Sequence, residues 1–182
     1  MDRMDARSAF HGDDTASLCP ACPADESFLF ELFAESQEQL SGLRSNEALW
    51  RSLVEMQYRG RKITYAAQFP AAEDSILLDE DGQPVGRLLL DRGPDRWRIV
   101  DIAVLAARRG QGLGTRVVRQ CQLRAAEVGA KLELQVRPDN RARRLYERLG
   151  FRVTHEDLLT AEMVLDIVNL ASPRIELLVA AP

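Results

Sequence analysis

Three glycines and three arginines fall within the stretch AARRGQGLGTR, which spans residues 106–116. The apolar run RIVDIAVL precedes it, and VVRQCQLRAAEV, with apolar residues at helical spacing, follows it. The first amides of a helix have no intrahelical acceptor, so a strand, a glycine-rich turn and a helix start together favour phosphate binding. Glycine permits a positive φ and a close approach of the backbone to a ligand. The stretch therefore predicts a site for a small polyanion.

The turn GQGLGT differs from two common nucleotide-binding motifs. The dinucleotide fingerprint requires Gly-x-Gly-x-x-Gly, and here the third glycine, Gly114, comes one residue early. The P-loop requires Gly-x4-Gly-Lys-Ser/Thr, which the chain lacks. The structural alternative is a tight turn whose glycines serve packing alone, and the neighbouring arginines favour a ligand over that alternative.

The elements that must hold this turn follow from the spacing of apolar residues. Arg96–Leu105 is nearly all apolar, which predicts a central strand covered on both faces. A hairpin is predicted around Asp81-Gly82. The chain as a whole predicts the order β-α-α-β-β-β-α-β-α-β-β, a mixed α/β class. The other predicted strands are a short one within TASLCPA and those at KLELQV, FRVTH and AEMVLDIV. The predicted helices are one within CPADESFLFELFAESQEQL that starts near Ala24, one from a cap at Ser45 or Asn46 to about Gln68, and two over 112–128 and 140–149.

Two motifs of this chain resemble those of the GCN5-related N-acetyltransferase (GNAT) superfamily. Arg109–Gly114 matches the signature Arg/Gln-x-x-Gly-x-Gly/Ala, and the strand before it ends in Ile102–Val104. NRARRLYERLGF is similar to the second signature N-x-x-A-x-x-L-Y-E-x-L-G-F, with one residue fewer between Asn140 and Tyr146; counted from Asn140, Arg143 stands where alanine is common. The resemblance covers about residues 15–168. It implies a central, mixed, mostly antiparallel sheet flanked by helices.

The resemblance implies acetyl-CoA as co-substrate, without a metal. Its pyrophosphate is expected on backbone amides of residues 111–115, with Arg109 and Arg116 meeting the charge. The pantetheine arm is expected along the backbone of Ile102–Val104, with the Val104 amide as oxyanion donor, and against Asn140. The predicted cofactor-binding residues are Ile102, Ala103, Val104, Arg109, Gly110, Gln111, Gly112, Leu113, Gly114, Thr115 and Asn140.

The family pattern also suggests the groups that move protons. Tyr146 is the expected general acid for the departing thiolate, because a phenol titrates near ~10 and is protonated at neutral pH. The alternative is that Tyr146 has only a structural role, as one of the apolar residues along one face of its helix. Some relatives place a glutamate where this chain has Gln135, which cannot accept a proton. Glu133 and Asp101 are the candidate bases, acting through a water, and the sequence does not choose between them.

These motifs predict an N-acetyltransferase that moves an acetyl group to a primary amine of a small molecule or peptide by direct attack on the thioester. Two alternatives stay open, which are a coenzyme A-binding module without turnover and acetylation of a macromolecule such as tRNA or a protein terminus. Residues 96–152 carry a net charge of +9, and the rest of the chain carries −13, which gives −4 in total. Nucleic acid is therefore not an expected partner, and an acidic remainder suits a cationic amine.

The rest of the sequence sets broader limits. The polar start lacks the pattern of a secretory signal and no apolar run approaches the ~20 residues of a membrane span, so we expect a cytoplasmic protein without a membrane partner. Cys19 and Cys22 have Cys-x-x-Cys spacing, but the chain offers no second ligand pair for zinc. The predicted organisation is a leader over 1–14, one domain over 15–168 and a tail over 169–182. A late strand, AEMVLDIV or IELLVA, is the predicted contact of a homodimer.

Overall fold

The computed structural model describes residues 17–165, apart from the side chains of residues 38 and 41. The strands of this part are β1 (Ser17–Pro20), β2 (Glu73–Leu78), β3 (Pro84–Arg92), β4 (Arg96–Val104), β5 (Lys131–Val136), β6 (Arg152–Glu156) and β7 (Ala161–Leu165). The α-helices are α1 (Glu26–Glu35), α2 (Glu47–Gln68), α3 (Leu113–Glu127) and α4 (Ala142–Arg148). This order along the chain confirms the predicted one. The predicted leader and the tail lie outside the described residues.

The strands form a sheet in the order β1-β2-β3-β4-β5-β7-β6. The pairs β1–β2, β2–β3, β5–β7 and β6–β7 are antiparallel. The mixed α/β class and the central position of β4 are therefore confirmed. The described chain divides into two compact units, a first unit of residues 17–92 with 99–120 and a second unit of 93–98 with 121–165.

The helices of the first unit begin and end where local side chains dictate. Asn46 caps α2, and its Oδ1 accepts from the Leu49 amide at 3.2 Å, as the sequence predicts. The first helix is shorter than predicted: a 3-10 turn over Pro23–Asp25 precedes α1, which ends at Glu35. The hydroxyl of Ser36 donates to the Phe33 carbonyl at 2.6 Å. A side chain that binds a carbonyl of the last turn competes with continuation of the helix.

The core of the first unit lies where α1 and α2 cover the antiparallel strand pair β1–β2. Leu29, Tyr58 and Ile76 are buried in one cluster, and the half-buried Phe28, Phe30 and Phe33 of α1 pack against it. The Tyr58 ring contacts the Phe30 ring edge-on, with centroids 5.6 Å apart. Aromatic rings bury much apolar surface, so this cluster fixes α1 and α2 on the sheet.

The second unit is built on β7, which lies between β5 and β6. Leu134 pairs with Met163, and both side chains are buried. The prediction that AEMVLDIV offers a free edge to a dimer partner is wrong for Ala161–Leu165, because both edges of this strand are paired within the chain. The segment IELLVA lies outside the described residues, and a homodimer stays a prediction.

Between residues 17 and 165, no helix has both the length and the apolar character that crossing a bilayer requires. The same residues contain no cluster of His, Cys, Asp and Glu suited to a metal ion. Cys22 instead belongs to the turn before α1, where the Asp25 carboxylate accepts from its amide at 3.0 Å and from its thiol at 3.1 Å.

Candidate active site

The glycine-rich turn lies at the N-terminus of α3. Gly110 and Gly112 both have a φ of 78°, a conformation that L side chains rarely adopt. A Cβ built on either glycine would meet no heavy atom within 4 Å. The backbone conformation, rather than crowding, therefore requires glycine at these two positions.

The first amides of α3 form the tip of that helix. The Arg116 amide donates to the Gly112 carbonyl at 3.0 Å, at the start of the helical hydrogen bonds. The amides of residues 112–115 precede this bond and lie at the positive end of the helix dipole. This arrangement fits a diphosphate, since it combines amide donors with partial positive charge.

Two arginines hold the turn to the rest of the first unit. Arg109 Nε donates to the Val104 carbonyl at 3.0 Å, and Arg108 Nη2 donates to Asp79 Oδ2 at 2.8 Å. Arg116 has no side-chain partner among the described residues. Arg109 thus joins the turn to the end of β4, and the guanidinium of Arg116 retains its donors.

The end of β4 is less covered than predicted. Trp97 and Ile99 are buried, but Arg96 is exposed and residues 100–104 are all half-buried, so the prediction that both faces of this strand are covered is wrong. Gly86 of β3 lies against this segment, because a Cβ built there would be 2.5 Å from the Ala103 carbonyl oxygen. Close approach of the two strands explains why β3 carries a glycine at this point.

A carboxylate from α1 fixes the segment between β4 and the turn. Glu35 Oε2 accepts a hydrogen bond from the Ala106 amide at 2.9 Å. Ala106 begins a 3-10 helix, Ala106–Arg108, whose first amides have no partner within it. Glu35 therefore holds the approach to the glycine-rich turn in place, across 71 positions of sequence.

A pocket opens in the first unit between α1, α2, β3 and β4, beside the half-buried end of β4. Aromatic rings, three cations and one carboxylate form its walls. The residues that line it are Leu29, Leu32, Phe33, Ser36, Tyr58, Arg61, Lys62, Tyr65, Arg87, Asp101 and Ala103. Two predicted site residues, Asp101 and Ala103, thus lie together in this pocket.

Asp101 accepts from two guanidinium groups in the pocket. Arg61 Nη2 donates to its Oδ1 at 2.5 Å, and Arg87 Nη1 donates to its Oδ2 at 3.1 Å. Arg87 also donates through Nε and Nη2 to both oxygens of Asp74, at 2.8 and 2.7 Å. The four side chains form a partly buried network of two cations and two anions, and charge-assisted bonds of this kind are the stronger ones.

Two tyrosines of the pocket keep their protons at neutral pH. Burial, followed by the charge of Glu26, raises the pKa of Tyr58 to about 12. Burial also raises the pKa of Tyr65, and the nearby charge of Asp101 adds to the effect. Both phenols are therefore hydrogen-bond donors, and neither is suited to accept a proton.

Three predicted site residues lie in the second unit. The Tyr146 side chain is buried in α4, and its ring lies 5.8 Å from that of Phe151. Glu133 Oε1 lies 3.3 Å from Arg98 Nε and 3.4 Å from Arg96 Nε, close enough for ion pairs but without hydrogen-bond geometry. Asn140 Oδ1 accepts from the Ala142 amide at 2.9 Å, which fixes the start of α4.

Gln135 has a carboxylate as its neighbour across the sheet. It pairs with Glu162 of β7 in register, and its Nε2 donates to Glu162 Oε1 at 2.8 Å. The glutamate that some relatives carry at position 135 is thus replaced by an amide beside a glutamate. Glu162 is not among the predicted site residues, because strand register, which was not assigned from the sequence, is the signal that joins it to Gln135.

The predicted site residues also do not include Arg61, Arg87 and Tyr65 of the pocket. Arg61 and Tyr65 are separated by four positions on a predicted helix, so their contact was available from helical spacing. The contact of Arg61 with Asp101 could not be predicted from the sequence, because it depends on how α2 lies on the sheet.

Comparisons with known proteins agree with this geometry. The family model described as Acetyltransferase (GNAT) family matches residues 38–151. A probable glucosamine 6-phosphate N-acetyltransferase 2 of Oryza sativa subsp. japonica is 38% identical over 90 residues, which cover 49% of this chain and 53% of the relative. The chain thus matches about half the length of this curated relative.

Solved structures share the fold at low sequence identity. PaiA N-acetyltransferase of Thermoplasma acidophilum, in complex with coenzyme A, is 14% identical with a TM-score of 0.63, and the match covers 84% of this chain and 99% of that one. A GCN5-related N-acetyltransferase of Rhodopseudomonas palustris is 21% identical with a TM-score of 0.60, over 87% and 99% of the two chains. Since the family model spans most of the chain, and the fold and the glycine-rich turn agree with it, the chain belongs to the GNAT acetyltransferase family.

Proposed function

We propose that the protein transfers the acetyl group of acetyl-CoA to a primary amine of a small molecule or peptide. The observation that carries the proposal is the turn at the tip of α3, where Gly110 and Gly112 adopt left-handed φ within the matched family region. Family membership supports acetyl transfer. The name of the rice relative, a glucosamine 6-phosphate N-acetyltransferase, supports a small-molecule amine.

The turn and the end of β4 bind the co-substrate in this proposal. Amides of residues 111–115 bind the pyrophosphate, and the positive guanidinium groups of Arg109 and Arg116 attract its negative charge. The backbone of Ile102–Val104 receives the pantetheine arm as an added strand would be received. Asn140, whose Oδ1 is bonded to the Ala142 amide, offers its Nδ2 hydrogens to the same arm.

Acetyl-CoA supplies an activated thioester, which the neutral amine attacks at the carbonyl carbon. The new C–N bond forms as the C–S bond breaks. The Val104 amide stabilises the charge on the carbonyl oxygen. Tyr146 gives its proton to the sulfur, and a carboxylate removes the proton from the attacking nitrogen through a water. Asp101 and Glu133 are the proposed carboxylates, and Glu162 is a third candidate because it lies beside Gln135.

A coenzyme A-binding module without turnover is the second candidate. It is favoured by one observation, that Asp101 and Glu133 both lie against two arginines. The guanidinium groups take up space beside each carboxylate that a proton-relaying water would need.

Two measurements on the full chain separate these functions. Calorimetry with coenzyme A tests the binding site, and release of free thiol from acetyl-CoA with a panel of amines tests the transfer. Binding together with amine-dependent thiol release is the expected result. Binding without release on any amine would favour the module, and absence of binding by the folded chain would refute both functions.

A further inference from the structure

Arg61 has a fixed position in the pocket of the first unit. Its guanidinium lies 5.4 Å from the centroid of the Phe33 ring and 5.0 Å from that of Tyr65. Its Nε donates to the Tyr65 hydroxyl at 2.9 Å, and its Nη2 donates to Asp101. Two rings and two hydrogen bonds hold the group, so little rotational freedom remains for a ligand to remove.

The unused hydrogen-bonding capacity of this pocket consists mainly of donors. Within residues 17–165, Arg61 Nη1 has no partner, and the Tyr65 hydroxyl accepts from Arg61 while its own hydrogen has no assigned acceptor. Two of the acceptors on the walls are already engaged: the Ser36 hydroxyl donates to the Phe33 carbonyl and accepts from Gln37. The other, Asp101, already accepts from two guanidinium groups.

Lys62 adds a cation that is weakly held. Its Nζ lies 2.7 and 2.8 Å from the two oxygens of Glu26, and both side chains of this pair are about half exposed. Exposed ion pairs contribute little to stability, so Lys62 can exchange Glu26 for a ligand at small cost. Arg87 is held more firmly than Lys62, because its side chain is only 14% exposed and its guanidinium forms ion pairs with Asp74 and Asp101.

From these contacts we infer that the acetyl acceptor carries an anionic group besides its amine, and that Arg61 and Tyr65 bind this group, with Lys62 closing on it. A carboxylate and a phosphate share the required chemistry, since each presents several acceptor oxygens to a planar guanidinium. Ala103 lines the same pocket, which brings the bound amine to the strand segment proposed for pantetheine. This inference rests on the proposed function and names its substrate class. It replaces the expectation of a cationic amine drawn from overall charge.

The test compares matched amines that differ in the anionic group. The common amino acids are measured against their amides, glucosamine 6-phosphate against glucosamine, and spermidine represents polycations. The readout is kcat/KM for thiol release at saturating acetyl-CoA. We expect the anionic member of one pair to exceed its uncharged partner by about ten- to a hundredfold, as loss of a charge-assisted hydrogen bond implies. The pair that responds distinguishes carboxylate from phosphate.

Variants assign the effect to Arg61. Arg61→Gln should raise KM for the anionic amine by about ten- to a hundredfold and leave coenzyme A affinity unchanged. Tyr65→Phe, which removes one hydroxyl, should raise KM by a few-fold, and it serves if the first variant fails to fold. Arg59→Gln is the matched control, because Arg59 is on the same helix, 76% exposed and, within residues 17–165, paired with Glu55 alone.

Each contrary outcome has a distinct meaning. Equal turnover of the anionic and the uncharged amine in every pair, or a preference for spermidine, overturns the inference and leaves the proposed function intact. If no amine is acetylated although coenzyme A binds, the proposed function fails. Calorimetry of the same amines with the coenzyme A-loaded protein and its Arg61→Gln variant then decides the inference, which is overturned if no anionic amine binds in an Arg61-dependent way.

Discussion

Arg61 of α2 donates to Asp101 of β4 across 40 positions of sequence, directly before the segment Ile102–Val104. Removing the charge of Asp101 leaves two partly buried guanidinium groups without a shared anion, and breaking one partner of such a network is costly. We expect Asp101→Asn to lower the free energy of unfolding by about 1–3 kcal/mol in urea titrations.

The pH dependence of turnover tests whether Asp101 also accepts a proton. If it is the base, Asp101→Asn should remove the acidic limb of the kcat profile and lower kcat about a hundredfold. Glu133→Gln and Glu162→Gln, measured in parallel, test the other carboxylates. A normal kcat profile in all three variants would exclude every carboxylate proposed here.

Glu35 provides a test of how the approach to the glycine-rich turn is held. Glu35→Gln weakens the bond to the Ala106 amide because an amide oxygen carries less charge than a carboxylate. We expect coenzyme A to bind about three- to tenfold more weakly in calorimetry. Glu31→Gln is the control, since Glu31 is exposed on the same helix one turn earlier, and an equal loss in both variants would contradict a specific role for Glu35.

The raised pKa of Tyr58 predicts a loss of stability in alkali. Below pH 10 the phenol is protonated in both the folded and the unfolded chain, so it adds no pH dependence there. Between pH 10 and about 12 the unfolded chain releases the proton and the folded chain retains it, so stability falls as the pH rises. Urea titrations at pH 8 and pH 11 should show a smaller fall for Tyr58→Phe than for the unaltered chain. An equal fall in both proteins would show that Tyr58 does not titrate in this way.

Local signals predicted most of the elements and the glycine-rich turn. The Asn46 cap, the end of α2 at Gln68 and the two left-handed glycines depend on residues within a few positions of one another. The early end of α1 was not predicted, because it depends on the bond from the Ser36 hydroxyl to the Phe33 carbonyl and not on the spacing of apolar residues. The pocket was not predicted either, since Arg61 and Asp101 meet only once α2 lies on the sheet, and the neighbours of Glu133 depend on strand register.

Gly112 tests the conformational requirement of the turn. Gly112→Ala adds only a methyl group in open space, so its cost comes from the positive φ, and we expect coenzyme A affinity to fall about tenfold. Gly112→Asp adds a negative charge beside the phosphates and should abolish measurable binding. Gly60→Ala is the matched control, because a methyl group there is also in open space but the glycine has no positive φ. Unchanged affinity in Gly112→Asp would exclude the turn as the phosphate site.

Tyr146 tests the proposed acid. Tyr146→Phe keeps the buried ring and its contact with Phe151, so the fold and the affinity for coenzyme A should be retained. Loss of the phenolic proton should lower kcat by about a hundredfold or more, the usual size of general acid catalysis. With acyl thioesters of more acidic thiols, the variant's kcat should fall less, because a better leaving group needs less help from a proton. A variant with undiminished kcat would leave Tyr146 as a core residue of α4 and require the thiolate to leave unprotonated.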